Sequence, residues 1–174
     1  NLVEESLPVM RRLRDSTGET AMLGAYLNGE CVMISQEGGE HPFNFMGRLG
    51  MTSPLHASAP GKAILAAMPA GERRKIAARL NLEKFAKNTI TDSAGLLRAL
   101  EECEKKGYST DESEAVDGVN CVAAAIFDRH GFPAAALWIT APAGRIDPKD
   151  FPKLGELVKA AAAEISENLG YGAE

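Results

Sequence analysis

The chain predicts an α+β domain, an antiparallel sheet with helices packed on it, and three observations carry that prediction. Asn28-Gly29 separates the segments TAMLGAYL and ECVMISQEG, and Asn-Gly is the strongest short-range hairpin signal because both residues tolerate positive φ. A second pair, CVAAAIFD and FPAAALWIT, flanks a turn at Arg129-His130-Gly131 and is too apolar to face water. Before, between and after the pairs lie segments of helical period, so the order is helix, strands, helices, strands, helix.

Taken in order, residues 2–15 form an amphipathic helix, interrupted or kinked near Pro8 and ended by Gly18. The Asn28-Gly29 hairpin follows, and PFNFMGRLG (42–50) supplies a further strand with Phe43 and Phe45 on one side. LHASAPGKAILAAM gives a short helix with small residues at its start, and GERRKIAARL gives a second. In TDSAGLLRALEECEKKGY, Thr91 or Asp92 is the N-cap, Gly107 the stop, and Leu96, Leu97, Leu100 and Cys103 keep helical spacing. From Asp150 to Leu169 a last helix turns Phe151, Leu154, Leu157, Val158, Ala161, Ala162, Ile165 and Leu169 inward.

The 174 residues are read as one domain, 1–174, with 45% hydrophobic and 25% charged residues as in ordinary globular proteins. A net charge of -5 leaves no electrostatic footprint for nucleic acid. The basic groups Arg11, Arg12 and Arg14, and Arg73, Arg74, Lys75 and Arg79, sit beside acidic residues and read as solvated helix faces. The apolar runs are too short to span a bilayer, so no membrane partner is expected. Three widely spaced cysteines, Cys31, Cys103 and Cys121, argue against a disulfide framework and fit a reducing, cytoplasmic setting. The chain starts at Asn1 without methionine, so a preceding segment is expected.

No strong catalytic motif is present. Gly61-Lys62 fails as a phosphate loop, because His56 stands five positions before Gly61 and Ala63 replaces the metal-binding hydroxyl residue. The small residues Ala57, Ser58 and Ala59 suit either a carboxylate at a helix N-terminus or tight packing of that helix on the sheet, and the two can hold together. Cys121 reads as a buried small hydrophobe, a weak hydrogen-bonding contact to a ligand, or a nucleophile that needs a base from elsewhere in the fold. His130, in the turn, is expected to be exposed. No Cys or His pair has metal-ligand spacing, and the cluster Asp111, Glu112, Glu114 and Asp117 lacks EF-hand spacing. It reads as a solvated acidic loop from which Asp111 turns inward. Trp138 shares a strand face with Ala136 and Thr140, as core or as pocket wall. A few polar groups converging on an apolar wall are what a small-molecule pocket looks like. Neither a catalytic residue, a metal nor a cofactor is expected.

Two motifs, LHASAPGKAILA and GYSTDESEAVDGVNCVAAAIFDRHGFPAAALWITAP, together with the helices around them, resemble the effector-binding domain of the isocitrate lyase regulator (IclR) family of bacterial transcription factors. The resemblance implies a GAF-like domain with a curved antiparallel sheet, in the C-terminal part of a regulator whose winged helix-turn-helix lies upstream of Asn1. Residues 1–15 would be the helix leaving the linker. The implied partners are a small-molecule effector, expected to be a carboxylate, further copies of the chain in a dimer or tetramer, and operator DNA through the upstream part alone. The implied site comprises Asp111, Val119 and Cys121 on the pocket floor, Ala59 and Pro60 at the helix start that holds a carboxylate, and Phe45 and Ser53 on the wall. Trp138 and Thr140 stand where small hydroxyl residues line the pocket in the glyoxylate- and pyruvate-responsive branch, and Pro60 lacks a backbone N–H, so neither of those effectors is carried over. Two other functions compete: thiol redox chemistry by Cys121 with Cys31, and an oligomerisation module whose pocket is filled by Trp138 and Phe45.

Overall fold

In the computed structural model, which describes residues 1–173, both hairpins belong to one sheet. The chain runs through α1 (Leu2–Thr17), β1 (Thr20–Leu27), β2 (Glu30–Glu37), β3 (Thr52–Ser53), α2 (Ala59–Ala67), α3 (Ala70–Arg79) and α4 (Ser93–Lys106). It continues through β4 (Ser109–Glu112), β5 (Val119–Phe127), β6 (Pro133–Pro142), a 3-10 turn at Pro148–Asp150 and α5 (Phe151–Asn168). The sheet is antiparallel with strand order β3-β2-β1-β6-β5-β4. The two hairpins join where β1 pairs with β6, from Thr20 opposite Thr140 to Ala25 opposite Ala135.

Local chemistry sets the element ends. Asn28 (φ 51) and Gly29 (φ 83) both take the left-handed region that a two-residue hairpin turn of the favoured twist requires. The Asn1 side chain accepts from the Val3 N–H to start α1, which keeps Pro8 inside it and ends at Gly18 in the left-handed conformation. Asp92, rather than Thr91, caps α4 by accepting from the Gly95 N–H, and Gly107 ends it.

Alternation along β5 and β6 sorts their side chains onto two covered faces, which is why both strands read as unbroken apolar runs. Val122, Ala124, Ile126, Leu137 and Ile139 meet Met10 and Leu13 of α1 and Val158 and Ile165 of α5. On the other face lies α2, with Ile64 and Leu65 packed against Leu96 and Leu100 of α4 and against Cys31 and Ala136 of the sheet. Among the described residues no helix is long and apolar enough to cross a membrane.

Three expectations are corrected. Residues 42–50 form a loop, not a strand. A side chain holds its middle, where Gln36 Nε2 donates to the Gly47 carbonyl (2.9 Å) and the Gly47 N–H donates to Gln36 Oε1 (3.1 Å), before the Gly50 N–H donates to the Met33 carbonyl of β2 (2.8 Å). Strand pairing resumes only at Thr52–Ser53, against Val32 and Cys31. Leu157 lies outside the inward stripe of α5 and is exposed. Arg73 is buried rather than solvated; its guanidinium donates to the carbonyls of Leu65, Ala66 and Met68 and pairs with Glu104 of α4 (2.8 Å). Those carbonyls end α2, where no further helical turn supplies N–H groups, so the arginine closes the helix from outside.

Arg73→Met is therefore expected to cost about 2–4 kcal/mol, since it strands buried carbonyls. The neighbouring, exposed Arg74→Met is expected to cost about 0.5 kcal/mol or less. Urea unfolding midpoints of the two variants measure the difference, and equal midpoints would refute the capping role.

Candidate functional site

On the α2 side of the sheet, side chains stand in cross-strand rows. Asp111 of β4, Cys121 of β5, Thr140 of β6 and Thr20 of β1 lie directly opposite one another in succession. The next row on this face is Ser109, Ala123, Trp138 and Met22. The first row is thus the polar one and the second the mostly apolar one, two residues apart along every strand.

A cavity of about 400 Å³ opens above these rows. It lies between the start of α2, the segment leading into β3, the β4–β5 loop and Phe85 of the α3–α4 connection. Eight of the nine sequence-derived positions meet on its wall: Phe45, Ser53, Pro60, Asp111, Val119, Cys121, Trp138 and Thr140. Ala59 does not. It is wholly buried below the wall, with its carbonyl accepting from the Ser109 hydroxyl. Ser58, one of the small residues noted at the helix start, also lines it, as do Met22, Met33, Met51 and Phe85, which were not singled out from the sequence. Met22 and Met33 could have been found from hairpin alternation; Phe85 sits in an irregular connection that carries no period.

The start of α2 is closed rather than open. Ser58 Oγ accepts from the Gly61 N–H (3.1 Å) and donates to the Pro54 carbonyl (2.7 Å). Pro60 has no N–H to offer. Small residues here serve packing: a Cβ on Gly61 would fall 2.5 Å from Leu55 Cα. These contacts give the tight packing that the small residues allow.

Lys62 crosses from α2 to the β4–β5 loop. Its ammonium straddles the Glu114 carboxylate, 2.7 Å from Oε1 and 2.9 Å from Oε2, and also donates to the Thr110 carbonyl. Both side chains are buried. Asp111 is buried beside them, with Oδ1 accepting from the Glu114 N–H (2.7 Å). One cation thus faces two carboxylates in a site shielded from water. Burial, then the charge of Glu114, push the Asp111 carboxyl up to about 7. At neutral pH much of Asp111 carries its proton and can donate.

The Cys121 thiol donates to Thr140 Oγ1 (3.2 Å), which leaves the Thr140 hydroxyl proton as a donor. Burial, reinforced by the nearby Asp111 charge, pushes the thiol far above its ordinary range. Burial also pushes Cys31 up to about 12. Trp138 forms a wall and does not plug the cavity. Its indole lies over Gly24, where an added Cβ would sit 3.0 Å from Cζ3 and 2.8 Å from Cys31 Sγ. His130 is exposed in its turn. Among the described residues no Lys, Arg or His lines the cavity, and no three His, Cys, Asp or Glu side chains gather to hold a metal ion.

The family described as "Bacterial transcriptional regulator IclR C-terminal" matches residues 1–167. The HTH-type transcriptional repressor AllR of Klebsiella pneumoniae is 40% identical over 163 residues, covering 94% of this chain and 60% of that protein. The chain accordingly spans about 60% of the length of the curated relatives it matches. The Thermotoga maritima IclR structure superposes with a TM-score of 0.93 at 33% identity, over 98% of this chain and 69% of that one. An IclR homologue from Microbacterium hydrocarbonoxydans, complexed with 4-hydroxybenzoate, superposes with a TM-score of 0.82 over 97% of this chain and 68% of that one. At 24% identity it shows likeness of fold.

Two stability measurements test this electrostatic arrangement. Native Asp111 holds its proton up to about pH 7, whereas the unfolded chain releases it near 4, so the native state binds more protons in between. Stability is therefore expected to fall by roughly 2–4 kcal/mol across that window and then to level. In Asp111→Asn this decline should vanish; an unchanged slope in denaturation between about pH 4 and 7 would contradict the assignment. Lys62→Met, which leaves Glu114 buried and unpaired, should cost about 3–5 kcal/mol, and Lys62→Met/Glu114→Gln should recover most of that loss.

Proposed function

The chain belongs to the IclR family of bacterial transcriptional regulators, as a C-terminal domain of that family, and from this premise we propose that it is the regulator's ligand-sensing unit, taking a small organic acid in the cavity above the Asp111–Cys121–Thr140 row. The observation that carries this reading is that row: a few polar groups set side by side on the floor of an otherwise apolar cavity of about 400 Å³. A pocket for a small metabolite is built in this way, with apolar walls supplying contact and a few polar groups fixing orientation.

The effector acts by population shift. It binds one arrangement of subunits better than another, and the balance between them alters operator binding. Operator recognition is assigned to sequence that the relatives have beyond this chain, which fits a net charge of -5 here. The transmitting assembly is a dimer or tetramer of these domains. The likeness to AllR, a transcriptional repressor, supports the regulatory role, and the 4-hydroxybenzoate complex of a homologue supports a carboxylate as ligand.

Thiol redox chemistry is disfavoured. A redox cysteine works as a thiolate, and burial raises both Cys121 and Cys31 away from ionisation. An oligomerisation role with a filled pocket is disfavoured by the open space that remains beside Trp138 and Phe45.

The test is a thermal-shift screen against glyoxylate, pyruvate, aliphatic dicarboxylates and hydroxybenzoates. Saturable stabilisation by one class is expected, since a ligand bound to the native state raises the melting temperature by mass action. That stabilisation should disappear in Cys121→Phe, whose fold is checked by circular dichroism. No response to any acid would overturn the reading. Native thiol labelling at Cys121 is expected to be slow and insensitive to pH near neutrality; fast labelling would return the redox alternative.

A further inference from the structure

We propose that Gly24 sets the size of ligand the cavity admits, by giving the Trp138 indole a berth across β1 that points away from the Asp111–Cys121–Thr140 row. This rests on the sensing role above and adds to it a specificity determinant that is not part of the cavity lining. Glycine is a poor strand residue, since it packs nothing and loses the most backbone freedom on folding. Gly24 lies inside β1 and is not among the glycines of positive φ, so the backbone does not require it. Space does. An added Cβ would fall 2.8 Å from Cys31 Sγ, and 3.0 and 3.2 Å from Cζ3 and Cη2 of the indole.

Strand register gives the direction in which the ring leans. Trp138 stands opposite Met22; on one side of that row lie Thr140 and Thr20, and on the other Ala136 and Gly24. The far edge of the indole reaches Gly24, so the ring runs along the sheet away from Thr140 and toward Cys31 of β2. Small residues clear its path. Ala123 lies opposite Trp138 on β5, and Ala59 and Ala63 of α2 pack in the same cluster. The bulkiest side chain of the protein is thereby stowed beside the cavity, and the polar floor stays open.

Gly24 acts through another side chain and is therefore a positioning residue. Side chains on a strand lean along it in one of a few staggered positions. The berth over Gly24 is the position that leaves the polar row clear, and closing it turns the indole back over that row. The room above the floor must then hold both the indole and the ligand. An acid of two carbons still fits there, whereas a ring overfills it, and an overfilled cavity loses affinity as an overpacked core loses stability.

Isothermal titration calorimetry with 4-hydroxybenzoate as the ring-bearing probe and glyoxylate as the two-carbon probe tests this. Gly24→Val is expected to weaken 4-hydroxybenzoate at least about tenfold and glyoxylate less than about threefold, with Gly24→Ala acting in the same sense and less. Without the indole the effect should vanish: Gly24→Val/Trp138→Ala should match Trp138→Ala within about threefold for both acids. Equal losses for the two acids, or a loss that persists in the Trp138→Ala background, would overturn the role. A Gly24→Val chain that folds only when Trp138 is also Ala would support it. A second readout needs no ligand, because Trp138 is the only tryptophan and a thiol beside an indole quenches its emission. Cys31→Ala is expected to brighten the wild-type protein, while Gly24→Val should be bright already and gain nothing from Cys31→Ala. If folded Gly24→Val emits as the wild type does, the indole has kept its place and the proposal fails, with the sensing role intact. Wild-type protein that binds neither acid would overturn the size preference, and together with a failed screen it would overturn the sensing role too.

Discussion

The Lys62–Glu114 pair does more to define this domain than any other contact, because it lies where two otherwise separate parts of the chain must meet. Lys62 belongs to α2, the helix over the sheet, and Glu114 to the loop that carries the edge strand β4 round to β5. Both are buried, and taking two charges out of water is costly unless they are paired closely. Satisfying that pairing seats α2 at a fixed height above the floor and draws the β4–β5 loop in against it. It also brings the Glu114 charge in beside Asp111, where burial first and then that charge raise the Asp111 carboxyl, against a smaller lowering by Lys62.

The sheet supplies the rest through alternation. Odd and even positions of β5 and β6 serve opposite layers, so the residues that build the α1/α5 core interleave with those that floor the cavity. Antiparallel register then brings Asp111, Cys121 and Thr140 side by side although 29 positions separate the first from the last. Helix α2 closes on this floor tightly because Gly61 allows it to ride on the backbone of Leu55, and its own start is capped by Ser58.

What could be read from the sequence was local. Asn28-Gly29, Gly18, Gly107 and Asp92 set element ends through chemistry within a few residues, and the hairpins announced themselves through turn type and apolar alternation. The floor residues Asp111, Cys121, Trp138 and Thr140 were legible because they sit on or beside one such hairpin. Readings failed where a distant partner decides. Residues 42–50 have strand-like alternation, but the Gln36 amide engages Gly47 and replaces a ladder. Arg73 looked solvated in a run of basic residues until α2 presented its last carbonyls. Lys62 looked like half of a failed phosphate loop, and its partner lies 52 positions away. Ala59 matched a family pattern, and its burial follows from how deeply α2 seats.

The β1–β6 pairing carries a kinetic consequence. It is the seam at which the N-terminal and C-terminal hairpins become one sheet, and it brings Thr20 and Met22 against residues that lie beyond position 135. Such non-local closure is slow and late, since the entropy of ordering the intervening chain is lost before the contact rewards it. On the ribosome the first hairpin is complete well before β6 emerges, and the cavity straddles the seam, with Met22 on one side and Trp138 and Thr140 on the other. A nascent or partly folded copy of this domain therefore has no finished cavity. The cavity arrives in one step, with the last strand, and only molecules that have finished folding carry it.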